Sequence, residues 1–221
     1  MLGIVVHALL ASRDIGRVVI LAQQAEMIWE SEAAWAGCDE RVHFVRSGDG
    51  IAGSIAALAG TESAPWPVLV TTADNALLTH DRVEAFLNAA DETDITIGVG
   101  ERTIVEAVYP QTKRTWLKFR DGQFSGANLF ALMGPACNAA LEHWSAVEQD
   151  RKKGLKLVAS FGPWILLQVL LHRLTFEQAL TRAGKALGCT AKYVILDAEA
   201  PIDVDKADDY LLVQRILRDR L

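Results

Sequence analysis

Short apolar runs alternate with mixed apolar and polar stretches along the first hundred residues, and this rhythm predicts most of the elements. Leu2–Ser12 reads as a helix, Arg17–Ala22 as a buried strand, Gln24–Ala36 as a helix and Val42–Arg46 as a short strand. Ser47-Gly-Asp-Gly50 is a loop that opens a helix of small residues over Ile51–Ala59. A strand at Val68–Thr72, a helix at His80–Ala90 and a strand at Asp94–Val99 follow. Val68, Leu69 and Val70 form the kind of run used by a strand covered on both faces. Strands alternating with helices at this spacing predict a three-layer α/β/α sandwich with a mainly parallel sheet.

The rhythm changes after Gly100. Thr115–Arg120 and Gln123–Phe124 flank Asp121-Gly122, a hairpin signal. Asn128–Leu132 reads as one more strand, and Gly134-Pro135 opens a helix carrying Leu141, Trp144 and Val147. Arg151–Leu187 is helix-rich, with a break at Gly162-Pro163. Lys192–Leu196 is a last strand, and Pro201-Ile-Asp-Val-Asp205 leads into a terminal helix with Asp205 as its expected N-cap. Without a repeat or a long linker, residues 1–221 read as a single domain, with 101–187 as an insertion on one side of it.

Composition narrows the classes. Of the 221 residues 51% are apolar, enough for a full core. The net charge of −6 argues against a nucleic-acid surface, which needs clustered Lys and Arg, but leaves room for a small anionic substrate at a local site. Cys38, Cys137 and Cys189 are widely spaced with no CxxC pair, which points to a reducing cytoplasm and to no zinc site. The five histidines show no ligand spacing. The longest apolar run, around Trp164–Leu171, is far short of the roughly 20 residues that span a bilayer.

Chemistry concentrates at strand ends. In open α/β sheets ligands sit at the carboxyl ends of strands, and Asp74 stands just beyond Val68–Thr72. It reads either as a turn former or as a holder of a phosphate-bound cation. Asp203 and Asp205 form a second acidic group, with Asp208 and Asp209 one turn later, where acids also complement a helix dipole. Ser47-Gly-Asp-Gly-Ile-Ala-Gly-Ser54 is either a tight turn or a loop whose N–H groups approach a phosphate or base, with no Walker or GxGxxG spacing. Lys113, Arg114, Lys118 and Arg120 either guard a strand edge or meet an acceptor phosphate. Arg151–Lys156 and the apolar Phe161–Leu171 read as a buried helix or as a surface for a membrane, a lipid-like acceptor or a second subunit.

Two of these strings resemble known motifs. Thr71-Thr-Ala-Asp74-Asn-Ala-Leu-Leu-Thr79 is similar to the "D-x-P-L-L-t" element of GT-A-type nucleotidyltransferases, and Pro201-Ile-Asp-Val-Asp-Lys-Ala-Asp-Asp209 to the "(I/V)D(I/V)DTPEDL" element that closes that fold. The group includes MobA-like enzymes and sugar and alditol cytidylyltransferases. Ser47–Leu58 and Gly126-Ala-Asn128-Leu-Phe130 resemble its serine-containing and acceptor-side segments. The resemblance implies a Mg²⁺-dependent transfer of CMP or GMP from CTP or GTP to a phosphorylated small molecule, with release of pyrophosphate. By it, Asp74 with Asp205 or Asp203 would hold the metal, and Ser47, Gly48, Gly53 and Ser54 would border the nucleotide. Asn128 would face the acceptor.

The resemblance also carries a departure. Met1–Ser12 looks like the helix that follows the family's first strand and glycine-rich loop, so the expectation is a misplaced start and poor nucleotide binding by these residues alone. The lost strand would leave its neighbours with unpaired backbone groups, each costing on the order of 1–3 kcal/mol where buried. Two other readings stand beside nucleotidyl transfer: a glycosyltransferase on the same scaffold, and a non-catalytic nucleotide-binding or assembly module. The former normally shows Asp-x-Asp where this chain has Thr72-Ala73-Asp74.

Overall fold

Helix α1 (Leu2–Ala11) is apolar on two sides and joins two sheets. Val5 and Ala8 pack with Leu78, Val83, Phe86 and Leu129, whereas Val6 packs with Val18, Ile20 and Val42. The computed structural model describes residues 1–24, 39–48, 50–90, 93–148 and 173–220. The helix expected over Gln24–Ala36 and the basic and apolar stretches at 151–171 lie outside the described residues, Gln24 apart.

The smaller sheet pairs β1 (Val18–Ala22) with β2 (Val42–Arg46) in parallel. The larger one holds β3 (Val68–Thr71), β4 (Ile95–Glu101), β5 (Leu117–Phe119), β6 (Gly122–Leu132) and β7 (Ala191–Ile195), in the order β3-β6-β4-β7 with β5 also on β6. β4 runs parallel to β7, and β6 runs antiparallel to β3, β4 and β5. Four of its five strands therefore share one direction, with β6 against them. Helices α2 (Ile51–Leu58), α3 (His80–Asn88), α4 (Arg102–Val108), α5 (Asn138–Glu148), α6 (Phe176–Leu187) and α7 (Ala207–Asp219) complete the described elements. This is the mixed α/β architecture with a central sheet and flanking helices that the strand–helix rhythm predicts.

Two local expectations need correction, and two further features refine the picture. The two short strands expected at Gln123–Phe124 and Asn128–Leu132 are one continuous strand, because β6 crosses between β3 and β4 and is paired with β4 from Phe124 to Leu132. Arg102–Val108 is helical, and its seven residues, about two turns, are too few to show a period in the sequence. Leu69 packs into one core cluster and Val68 and Val70 into another, so β3 is covered on both faces as read, and it stays half-buried because among the described residues it pairs with β6 alone. The N-cap of α7 is Lys206, not Asp205, because Asp209 returns its carboxylate to the Lys206 N–H (3.1 Å).

One irregularity positions the site. Ile97 faces Phe130 and Val99 faces Gly126, so three residues of β6 bulge opposite Gly98. A Cβ on Gly98 would lie 2.9 Å from Leu196 and 3.2 Å from the Leu129 side chain, so glycine lets the bulge close onto β4. β4 occupies one edge of β6 along this length. The other edge is shared by β5, opposite Gly122–Phe124, and β3, opposite Leu129–Leu132. Among the described residues Ser125–Asn128 are left between them without a strand partner on that edge, and the candidate site forms there.

Candidate active site

Asp74 sits in the turn after β3. Its carboxylate accepts from the Thr72 hydroxyl, and Ala76 and Leu77 beyond it are fully buried against Ile202, Val213 and Ile216. Full burial of a Leu or Ile side chain stabilises by about 1.5–3 kcal/mol, so Leu77 and Ile202 pin both acidic loops to α7. The loops also meet through the backbone: Val204 N–H donates to the Asp74 carbonyl at 3.2 Å. On the other side of Ile202, Pro201 lies so close to Gly100 that a Cβ there would come within 2.4 Å of its ring. One carboxylate oxygen each from Asp74, Asp203 and Asp205 then lies within 4.8 Å of the other two.

The three acids are not equivalent. Asp203 is held on both oxygens, by the Arg114 guanidinium on one and by Asn128 Nδ2 at 2.8 Å on the other. Asp205 is exposed, and among the described residues nothing engages its carboxylate. Arg114 is buried: it also pairs with Asp209, donates to the Asp203 carbonyl (3.3 Å) and to Thr112 Oγ1 (3.3 Å), and is only 5% exposed. Asn128 occupies the left-handed region (φ 49°), which its position in the bulge requires and which asparagine tolerates better than most residues. Buried Asn75 steadies the bulge by donating to the Ala127 carbonyl (3.2 Å) and to Thr71 Oγ1 (3.3 Å).

This donor set fits a hard divalent cation: oxygen donors only, two of the carboxylates open, and room for phosphate oxygens at a strand end. The structure thus brings together Asp74, Asp203, Asp205 and Asn128. Arg114, read from sequence as a hairpin charge, belongs to the same cluster. Its partner Asp203 is 89 residues away, and no local pattern signals that pairing. Asp208 and Asp209 fall in the first turn of α7 as expected, and Asp209 also serves Arg114.

Ser47, Gly48, Gly53 and Ser54 form a second group at the carboxyl ends of β1 and β2. Ser47 N–H donates to the Ala22 carbonyl (3.0 Å), Gly48 N–H to Ser54 Oγ (2.9 Å), and the Ser54 hydroxyl to the Gly50 carbonyl (2.6 Å). Ser54 is therefore buried and committed to shaping the loop. Gly48, Gly50, Gly53 and Ser54 border a cleft of about 320 Å³ with Arg46 and Leu21.

An ion network around the buried Arg82 braces the chain that leads to the acids. Arg82 forms a bidentate pair with Asp197 (2.8 and 2.7 Å) and donates to the Leu77 carbonyl (2.6 Å). Glu199 accepts from Arg82 (3.3 Å), from Arg220 and from the Tyr109 hydroxyl (3.0 Å). Burial opposes ionisation of Asp197, but the hydrogen bond and charge of Arg82 and the N–H groups of Glu199 and Ala200 outweigh it and hold its carboxyl below the usual range. Burial first, then the bond to Glu199, push the Tyr109 phenol up to about 12. No described helix is long and apolar enough to cross a membrane.

Similar chains are found among solved structures. A hypothetical transferase from Thermus thermophilus superposes with a TM-score of 0.75 at 29% identity, over 95% of this chain and 85% of that one. A 4-diphosphocytidyl-2C-methyl-D-erythritol synthase from Anaerococcus prevotii gives 0.59 at 11% identity, over 98% and 85%. The 2-C-methyl-D-erythritol 4-phosphate cytidylyltransferase of Thermus thermophilus gives 0.50 at 16% identity, over 97% and 87%. No family model matches the sequence, and no curated protein matches it. The chain has a nucleotidyltransferase-like fold.

Proposed function

We propose that the protein is a MobA-like nucleotidyltransferase that moves CMP or GMP from CTP or GTP to a phosphorylated small molecule. An oxygen of the acceptor phosphate attacks the α-phosphorus in line, the bond from that phosphorus to its β-bridging oxygen breaks, and pyrophosphate leaves. The observation that carries this reading is the convergence of Asp74, Asp203 and Asp205 from two loops 129 residues apart, counted from Asp74 to Asp203. Asp74 and Asp205 would hold Mg²⁺, which would neutralise phosphate charge there. Asp203 and Arg114 fix the loop that presents Asp205, and Asn128 sits between Asp203 and the acceptor side. The loop at Ser47–Ser54 and its cleft suit the nucleoside. The remaining work is positioning and electrostatics, which explains why no protein nucleophile is needed. The cytidylyltransferases among the structural neighbours support this reaction class and favour CTP.

The test is a thermal-shift screen of the four ribonucleoside triphosphates with Mg²⁺, on the chain with any segment encoded upstream of Met1 restored, followed by a pyrophosphate-release assay with phosphorylated sugars and alditols. One triphosphate at a hundredfold excess over its Kd is expected to raise Tm by about 5–10 °C. No shift with any of the four overturns the reading.

A further inference from the structure

Arg114 is the cation buried among these acids, and what it does to Asp203 goes beyond structural support. Three free carboxylates this close would form a strongly charged oxygen cage, which takes a divalent cation tightly with no other ligand, and affinity in such cages rises with the number of charged ligands. Here one of the three is already spoken for. The guanidinium pairs with one oxygen of Asp203 and Asn128 with the other, so both of its oxygens point to protein donors. Arg114 is held in this place by Asp209, Thr112 and the Asp203 carbonyl, and its side chain is 5% exposed, so it is built into the fold and not a surface charge that swings away.

We propose that Arg114 is a positioning residue that keeps Asp203 out of the cation's coordination shell, leaving two available carboxylates and making tight cation binding depend on the oxygens of an incoming phosphate. This rests on the nucleotidyl-transfer reading and names how its site is regulated. The cation stays weakly bound to the free protein, and triphosphate and cation enter together. Asp203 and Asp209 share the one guanidinium, so this group carries one net negative charge beside the two open acids.

The experiment uses Mn²⁺ as the measured cation, by EPR on the whole chain, with Mg²⁺ in competition. Wild-type protein is expected to bind Mn²⁺ weakly alone and more tightly with CTP or GTP. Arg114→Met frees Asp203 as a third carboxylate, and Mn²⁺ affinity in the absence of nucleotide is expected to rise about tenfold or more, with a changed EPR line shape. Arg114→Met combined with Asp203→Asn removes one positive and one negative charge together and leaves Asp209 held by the Lys206 N–H. That double variant is expected to return to within about threefold of wild type. Unchanged or weaker Mn²⁺ binding by Arg114→Met overturns the proposal. Should that variant not fold, the double variant decides: affinity lost as fully as in Asp205→Asn would make Asp203 a ligand and overturn it. Wild-type protein that binds no Mn²⁺ even with CTP or GTP removes the nucleotidyl-transfer reading itself, and the proposal with it.

Discussion

Val204 donates its backbone N–H to the carbonyl of Asp74, joining at 3.2 Å two loops 130 residues apart in the chain. The bond fixes the loops by main chain, so the carboxylates on either side can be exchanged without dismantling their support. Asp74→Asn and Asp205→Asn are therefore expected to leave the unfolding free energy from urea denaturation within about 0.5 kcal/mol of wild type. Each should lower Mg²⁺-dependent pyrophosphate release by about a hundredfold or more, above the range for groups that only orient a ligand. Turnover retained by Asp74→Asn would remove that residue from the site.

The bulge in β6 makes a prediction about stability. Gly98→Ala places a methyl 2.9 Å from Leu196 and 3.2 Å from Leu129, and a packed strand pair relieves that only by shifting backbone. A loss of about 1–3 kcal/mol is expected in equilibrium denaturation. Asn128→Gly keeps the left-handed backbone and should fold nearly as well as wild type, whereas Asn128→Val should lose about 1–3 kcal/mol more, since a β-branched residue is strained at φ 49°. Equal stability of the two variants would show that the backbone there does not need an αL residue.

The network around Arg82 sets the acid limb of stability. Asp197 is held below its ordinary carboxylate range in the folded chain, so its contribution is complete above the unfolded-state value and is lost as the pH falls through the folded-state one. Asp197→Asn should flatten the decline of stability in that acidic window by lowering it at neutral pH, modestly because the Asp197 side chain is 55% exposed, and should converge with wild type in acid. Arg82→Met leaves Glu199 and Asp197 without their shared cation and is expected to cost about 2–4 kcal/mol at neutral pH. An acid limb that is unchanged in Asp197→Asn would assign it to other groups.

At the base-titrating end the sign reverses. Tyr109 is raised to about 12, so the protonated phenol stabilises the fold fully below its unfolded-state value near 10, and that contribution is lost as the pH rises through 12. Tyr109→Phe is expected to remove the highest step of the tyrosinate absorbance titration.

How far the residues announce all this depends on the range of the interaction. Val42–Arg46 and the starts of the helices at Leu2, Ile51 and His80 follow from period and capping, and agree with the structure to the residue. Asp74, Asp203 and Asp205 are visible because each lies in a short string after a strand. Arg114 is not, because what makes it part of the site is a partner on α7 and another on the loop before it, and the sequence around it resembles any charged hairpin. The continuity of β6 is hidden for a related reason. Ser125-Gly126-Ala127 breaks the apolar pattern with small residues, and it is the bulge against Gly98, a tertiary feature, that carries the strand through them.

The loop before α2 yields the last prediction. Ser54 is both acceptor for Gly48 N–H and donor to the Gly50 carbonyl, so removing its hydroxyl leaves the Gly48 N–H without that partner and the Gly50 carbonyl with the Ser54 N–H alone. Because these groups border an open cleft, water replaces part of the lost bonding, and Ser54→Ala is expected to lower stability by only about 1 kcal/mol. The consequence for binding should be larger. A loop that no longer holds its N–H groups in one arrangement must order them when nucleotide arrives, and that entropy appears in the ground-state complex and the transition state alike. The expected kinetic signature is a raised KM for the triphosphate, about three- to tenfold, with kcat little changed. A fall in kcat at unchanged KM would instead place Ser54 against the reacting phosphates, and the loop would then belong to the chemistry as well as to nucleotide binding.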